Sequence, residues 1–109
     1  MAKLERVLQE DFDAFIARVT EGILAGSSSA SLEARSDFSE GGARCSSLVF
    51  ERYSYAGGNR LSMSLTLFQG SPGAPLHLSA ITAGGSQGIF LKFNTIGENA
   101  FLRKLEEIL

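Results

Sequence analysis

Gly84-Gly85-Ser86-Gln87-Gly88, followed by Ile89-Phe90-Leu91-Lys92-Phe93, is the stretch whose reading decides the architecture around it. Its first five residues spell G-x-S-x-G, the pattern that in serine hydrolases carries a nucleophile on a sharp turn between a strand and a helix. The next five are aromatic and aliphatic, a composition that favours an extended strand. The expectation is a glycine-rich turn joining two strands, with Ile89 to Phe93 in the second. A hydrolase would also need Ser86, His77 and a carboxylate such as Glu51 in one triad. The chain order serine, acid, histidine cannot be met, because no histidine follows Ser86. The same glycines free backbone N–H groups to hold an anion, with Lys92 or an arginine in support. Neither the Walker lysine nor the dinucleotide G-x-G-x-x-G is present.

Working upstream, Leu76 to Ala83 reads as the strand that enters this turn, and Gln69 to Pro75, with Pro72 and Pro75 among glycines, as a loop. Arg60 to Phe68 is the clearest strand, with Leu61, Met63, Leu65 and Leu67 on one face and Ser62, Ser64 and Thr66 on the other. Arg44 to Tyr55 pairs with it across Gly57-Gly58-Asn59. A three-residue loop there sets Tyr55 opposite Leu61, Tyr53 opposite Met63, Glu51 opposite Leu65 and Val49 opposite Leu67. On that register Glu51 faces the core, where a lone carboxylate costs several kcal/mol unless a cation meets it. Arg44, Arg52 and Arg60, with serines, Leu48, Phe50 and Phe68, then share the other face. Ser29 to Arg35 alternates as a further strand, and a polar loop runs through Asp37, Gly41 and Gly42.

The ends of the chain read as helices. Leu8, Phe12, Phe15, Ile16, Val19 and Ile23 recur at spacings of three and four, with Asp11 as N-cap and Gly26 as the stop. Lys3 to Leu8 either extends this helix, whose stripe Leu4 also fits, or forms a short strand before it, which the Asp11 cap favours. Thr95 with Glu98 has the form of a capping box, and Phe101, Leu102, Leu105, Ile108 and Leu109 supply the closing helix with an apolar stripe. The fold class is therefore α+β: one domain over residues 1–109, an antiparallel meander of four to five strands with the N-terminal and C-terminal helices packed on one face.

Composition narrows the function. Of 109 residues, 44% are hydrophobic and 20% charged, and the mean hydropathy is +0.08, as in soluble globular proteins. No apolar run approaches the roughly 20 residues of a membrane span, and residues 1–10 lack the apolar centre of a signal peptide, so the expected setting is cytoplasmic. A net charge of −2, with Lys and Arg scattered, argues against nucleic acid as a partner. Cys45 is the single cysteine and His77 the single histidine, too few for a disulfide or a structural metal site, and no cofactor motif is present.

Phe50-Glu51-Arg52-Tyr53-Ser54, Gly58-Asn59-Arg60, Ala80-Ile81-Thr82-Ala83-Gly84-Gly85-Ser86 and Gly97-Glu98 before Phe101 together form a spaced signature. On these blocks nearly the whole chain resembles an uncharacterised, DUF6054-like bacterial domain family. That resemblance implies a single domain and brings no activity, substrate or cofactor.

Two helices cover one side of such a sheet, leaving the other for solvent, a ligand or a second copy. The leading expectation is a non-enzymatic module that binds a small ligand or protein partner, through Arg52, Arg60, Ser86, Gln87 and Lys92. The alternatives are a small serine hydrolase using Ser86 and a structural homo-oligomer built through the sheet face.

Overall fold

The computed structural model describes residues 1–54, 59–84 and 91–109, and of residues 54 and 91–96 the backbone only. The chain runs β1 (Ala2–Leu8), α1 (Phe12–Ala25), β2 (Ser31–Glu40), β3 (Ala43–Ser54), β4 (Asn59–Gln69), β5 (Leu76–Gly84) and α2 (Leu91–Ile108). The strands form one sheet in the order β1-β5-β4-β3-β2, with every neighbouring pair antiparallel. Strands β2 to β5 are the expected meander, and β1 returns to its far side beside β5. This is the α+β architecture expected from the sequence, with five strands.

Helix α1 starts where the chemistry asks it to. Asp11 is extended, and its carboxylate accepts a hydrogen bond from the Ala14 N–H at 2.9 Å, satisfying a donor that the first turn leaves open. Phe12, Phe15, Ile16, Val19 and Ile23 form the buried stripe, and the Gly26 N–H closes the last turn on the Gly22 and Ile23 carbonyls. Gly22 lies where α2 crosses: a Cβ there would stand 2.7 Å from Ile108 Cδ1, so a larger residue would displace the Ile108 side chain.

The sequence reading places a polar loop through Asp37, Gly41 and Gly42, but β2 continues through Asp37 to Glu40. The turn is only Gly41-Gly42, with φ of +59° and +88° between the paired residues Glu40 and Ala43. Two successive left-handed residues suit the right-handed twist of a hairpin, and glycine takes that conformation without Cβ strain. Polarity alone misled here, because β2 is an edge strand whose residues 33–40 are exposed on both sides.

The β3–β4 register also departs from expectation. Arg52 stands opposite Leu61, Phe50 opposite Met63, Leu48 opposite Leu65 and Ser46 opposite Leu67, and Ser54–Asn59 is the last pair. This differs by an odd number of residues from a three-residue loop, so every β3 side chain changes face. The physical reason is packing: Phe50 and Leu48 become fully buried beneath the helices, while Tyr53 keeps its phenol on the wet side. Leu61, Met63, Leu65, Leu67, Leu76, Leu78 and Ala80 complete the inner face, closed by the α1 stripe and by Phe101, Leu102 and Leu105 of α2. Each such Leu or Phe contributes about 1.5–3 kcal/mol through removal of apolar area from water. Glu51 consequently lies on the outer face, half-exposed, with Arg60 Nε 3.1 Å from its Oε1. Its expected cation is found; its expected burial is not.

Leu91, Lys92 and Phe93 are helical, not strand. They open a helix whose Gly97, Phe101 and Leu105 are buried four residues apart, and the packing of that helix overrides local β-preference. Thr95 is therefore inside α2, and the expected capping box does not start it.

Candidate binding site

Arg52 is the unusual cation of the inner face. It lies in one lateral row with Leu61 and Gly84, at the sheet end where β5 finishes. Its guanidinium carbon sits 4.7 Å from the centroid of the Phe101 ring, a cation–π contact supplied by α2. Its Nε is buried with no hydrogen-bond partner among the described residues. Burial alone lowers its pKa from the ordinary arginine value, since the site disfavours the charge and no acid offsets it. The chain has 12 Asp and Glu, and all of them lie among the described residues. None pairs with Arg52, whereas Arg6, Arg18, Arg35, Arg44 and Arg60 each hold a carboxylate; Arg103 holds none either, but it is exposed. A half-buried guanidinium without an anion is set to accept one, through the two parallel N–H bonds that carboxylate and phosphate favour.

Beside it, α2 is tied to the end of β5. Glu98, 4% exposed, accepts the Gly84 N–H on Oε2 at 2.7 Å, its Oε1 lies 2.6 Å from the Met1 amino group, and the Thr82 hydroxyl donates to its carbonyl at 3.1 Å. These contacts hold the backbone rigid where the chain leaves the sheet. The sequence reading saw Glu98 only as a cap. Its spacing from Gly84 carries no periodic signal, so nothing in the sequence marks this role.

The other expected binding residues are not gathered with Arg52. Arg60 is on the opposite face of the sheet, engaged by Glu51. Ser86 and Gln87 lie outside the described residues, as does the Lys92 side chain, although the Lys92 backbone is in the first turn of α2.

The hydrolase reading changes in one respect. A strand ends at Gly84 and a helix runs from Leu91, so the objection that no helix follows the G-x-S-x-G stretch falls. The objection from the triad stands. His77 is on the outer face, and the seven residues from His77 to Gly84 span about 23 Å of β5, while two further peptide units carry Ser86 at most about 7 Å from Gly84. His77 cannot serve Ser86. Glu51 is likewise on the outer face and occupied by Arg60. Among the described residues no cluster of three or more His, Cys, Asp or Glu could hold a metal ion, and no helix is long and apolar enough to cross a membrane.

The fold and this site define a small α+β protein: a five-stranded antiparallel sheet, helices on one face, and an unpaired arginine at the sheet end. The chain belongs to the Family of unknown function (DUF6054), whose model matches residues 1–109. No curated protein and no solved structure matches it.

Proposed function

We propose that this protein is a cytoplasmic, non-enzymatic module that binds a small ligand bearing a carboxylate or phosphate group, with Arg52 as the anion-holding residue. In this reading Ser86, Gln87 and Lys92, which follow Gly84 in sequence, add donors around the ligand. The observation that carries it is the half-buried Arg52 guanidinium, stacked on Phe101 and paired with none of the chain's acids. Thermal unfolding with inorganic phosphate and with succinate, each against Arg52→Gln, tests the site and separates the two anions. An anion present at tenfold its Kd stabilises by about 1.4 kcal/mol, a rise of several degrees in Tm. The rise disappears in Arg52→Gln. Equal rises in both proteins, or no rise with either anion, remove Arg52 as the anion site.

One observation favours a second reading, a serine hydrolase on Ser86: β5 and α2 flank the G-x-S-x-G stretch as a strand and a helix. With His77 out of reach, its base would be Lys92, as in serine–lysine enzymes. A fluorophosphonate probe decides this reading, since an adduct on Ser86 that is lost in Lys92→Met supports it and an unlabelled protein ends it.

A further inference from the structure

We infer that the outer face of the sheet is the contact between two copies of this chain, related by a two-fold axis running along β4. The inference goes beyond the ligand site, which is on the other side of the sheet. The strand registers place Val7, His77, Phe68, Cys45 and Phe38 side by side in one row that crosses all five strands. Of the exposed large apolar side chains among the described residues, Val7 (63%), Phe38 (66%), Phe68 (42%) and Tyr53 (38%) share this face, while Met1, Leu24 and Leu109 lie outside the strands. Such concentration on one face marks a surface that is covered in the working molecule.

The choice of a second copy rests on area, charge and symmetry. Five strands about 4.8 Å apart run side by side from the row of Met63 to that of Gln69, which gives about 480 Å² per copy, or about 1,000 Å² in all, the lower bound for a specific interface. The charged groups of this face largely neutralise one another, Lys3 with Glu5 at 3.1 Å and Arg60 with Glu51 at 3.1 Å. Its middle rows are Ser79, Thr66, Ser47 and Ser36, then Ile81, Ser64, Val49 and Ala34. A strongly charged partner finds no complement there, whereas an identical neutral face does. Strand β4 is the central strand of the order β1-β5-β4-β3-β2. A two-fold along it stacks the sheets in full, brings Phe68 onto Phe68 of the second copy, and sets Val7 against Phe38 of that copy. Shallow grooves flank Phe68 on both sides, one lined by Val7, Thr66 and His77 and the other by Phe38, Ala43 and Cys45, and each receives a protruding side chain from the opposite copy. The contact is isologous and closed, so it stops at two copies.

Sedimentation equilibrium of the full chain up to about 500 µM tests this, because that range covers the association of an interface of about 1,000 Å². The expected result is a dimer that Phe68→Glu weakens at least about 100-fold, by setting two carboxylates on the axis. Ser64→Arg, an exposed position on the same axis, is expected to weaken it in the same way while far-UV circular dichroism stays unchanged, which separates loss of contact from loss of fold. A monomer throughout the range overturns the inference. So does a dimer that survives both substitutions, since association would then use another surface, such as the free edge of β2.

Discussion

Glu98 Oε2 holds the Gly84 N–H at 2.7 Å, so a carboxylate from α2 caps the last residue of β5. A hydrogen bond to a charged, buried acceptor is worth about 1.5–3 kcal/mol. Glu98→Ala is expected to lower the unfolding free energy by about 2 kcal/mol, and Glu98→Gln, which keeps an acceptor oxygen, by about half of that. Urea unfolding measures both; equal losses for the two variants would mean that the contact acts through shape and not through the oxygen.

Phe50 and Tyr53 test which face of β3 is inside. Phe50 is fully buried against the helices and Tyr53 stands on the outer face. Phe50→Ala is expected to cost about 3–5 kcal/mol, and Tyr53→Ala about 1 kcal/mol or less. The reverse ranking in chemical denaturation would require the register shifted by an odd number of residues.

Acid should destabilise the fold in a defined window. The hydrogen bond from Arg44 holds the Asp13 carboxyl below its ordinary 3.8, that from Arg35, aided by Ser46, does the same for Asp37, and that from Arg18 holds Glu10 below its ordinary 4.5. Because these groups bind protons less readily folded than unfolded, their stabilisation is present above the ordinary values and is lost as pH falls through the depressed ones. Thermal unfolding is expected to show Tm falling below about pH 4.5, with a shallower fall in Asp13→Asn. All three carboxylates are near the surface, so about 0.5 M NaCl should flatten the curve as well. An identical slope for Asp13→Asn and the parent chain would exclude Asp13 as a contributor.

Much of the fold was legible because its signals are local. The α1 stripe with Asp11 in front of it and the alternation of Arg60 to Phe68 each announce themselves within a few residues, whereas Lys3 to Leu8 fits helix and strand alike until β5 is seen to pair with it. The β3 face was not, since Val49, Tyr53 and Tyr55 form as plausible an apolar set as Leu48 and Phe50, and only the helices overhead distinguish them. The start of α2 was hidden for a related reason: Leu91 and Phe93 prefer strands in isolation, and their helical backbone belongs to a helix whose later turns are buried through Phe101, Leu102 and Leu105. At the site, Arg52 and Arg60 were grouped through the mistaken register. Arg52 became distinctive only when all twelve acids had been placed, none beside it, and its guanidinium lay half-buried on Phe101, whereas Arg103, also without a carboxylate, is exposed.

The pairing of β1 with β5 joins Leu8 to Leu76 and Ala2 to Thr82. During vectorial synthesis the first strand leaves the ribosome long before its only neighbour exists, and α1 emerges with most of its apolar stripe still lacking a floor. The hairpins of β2 to β5 can assemble as each is completed, but β1 must wait for β5, some seventy residues later. Closure of the sheet is thus a late, long-range event, and the nascent chain is most vulnerable to self-association just before it.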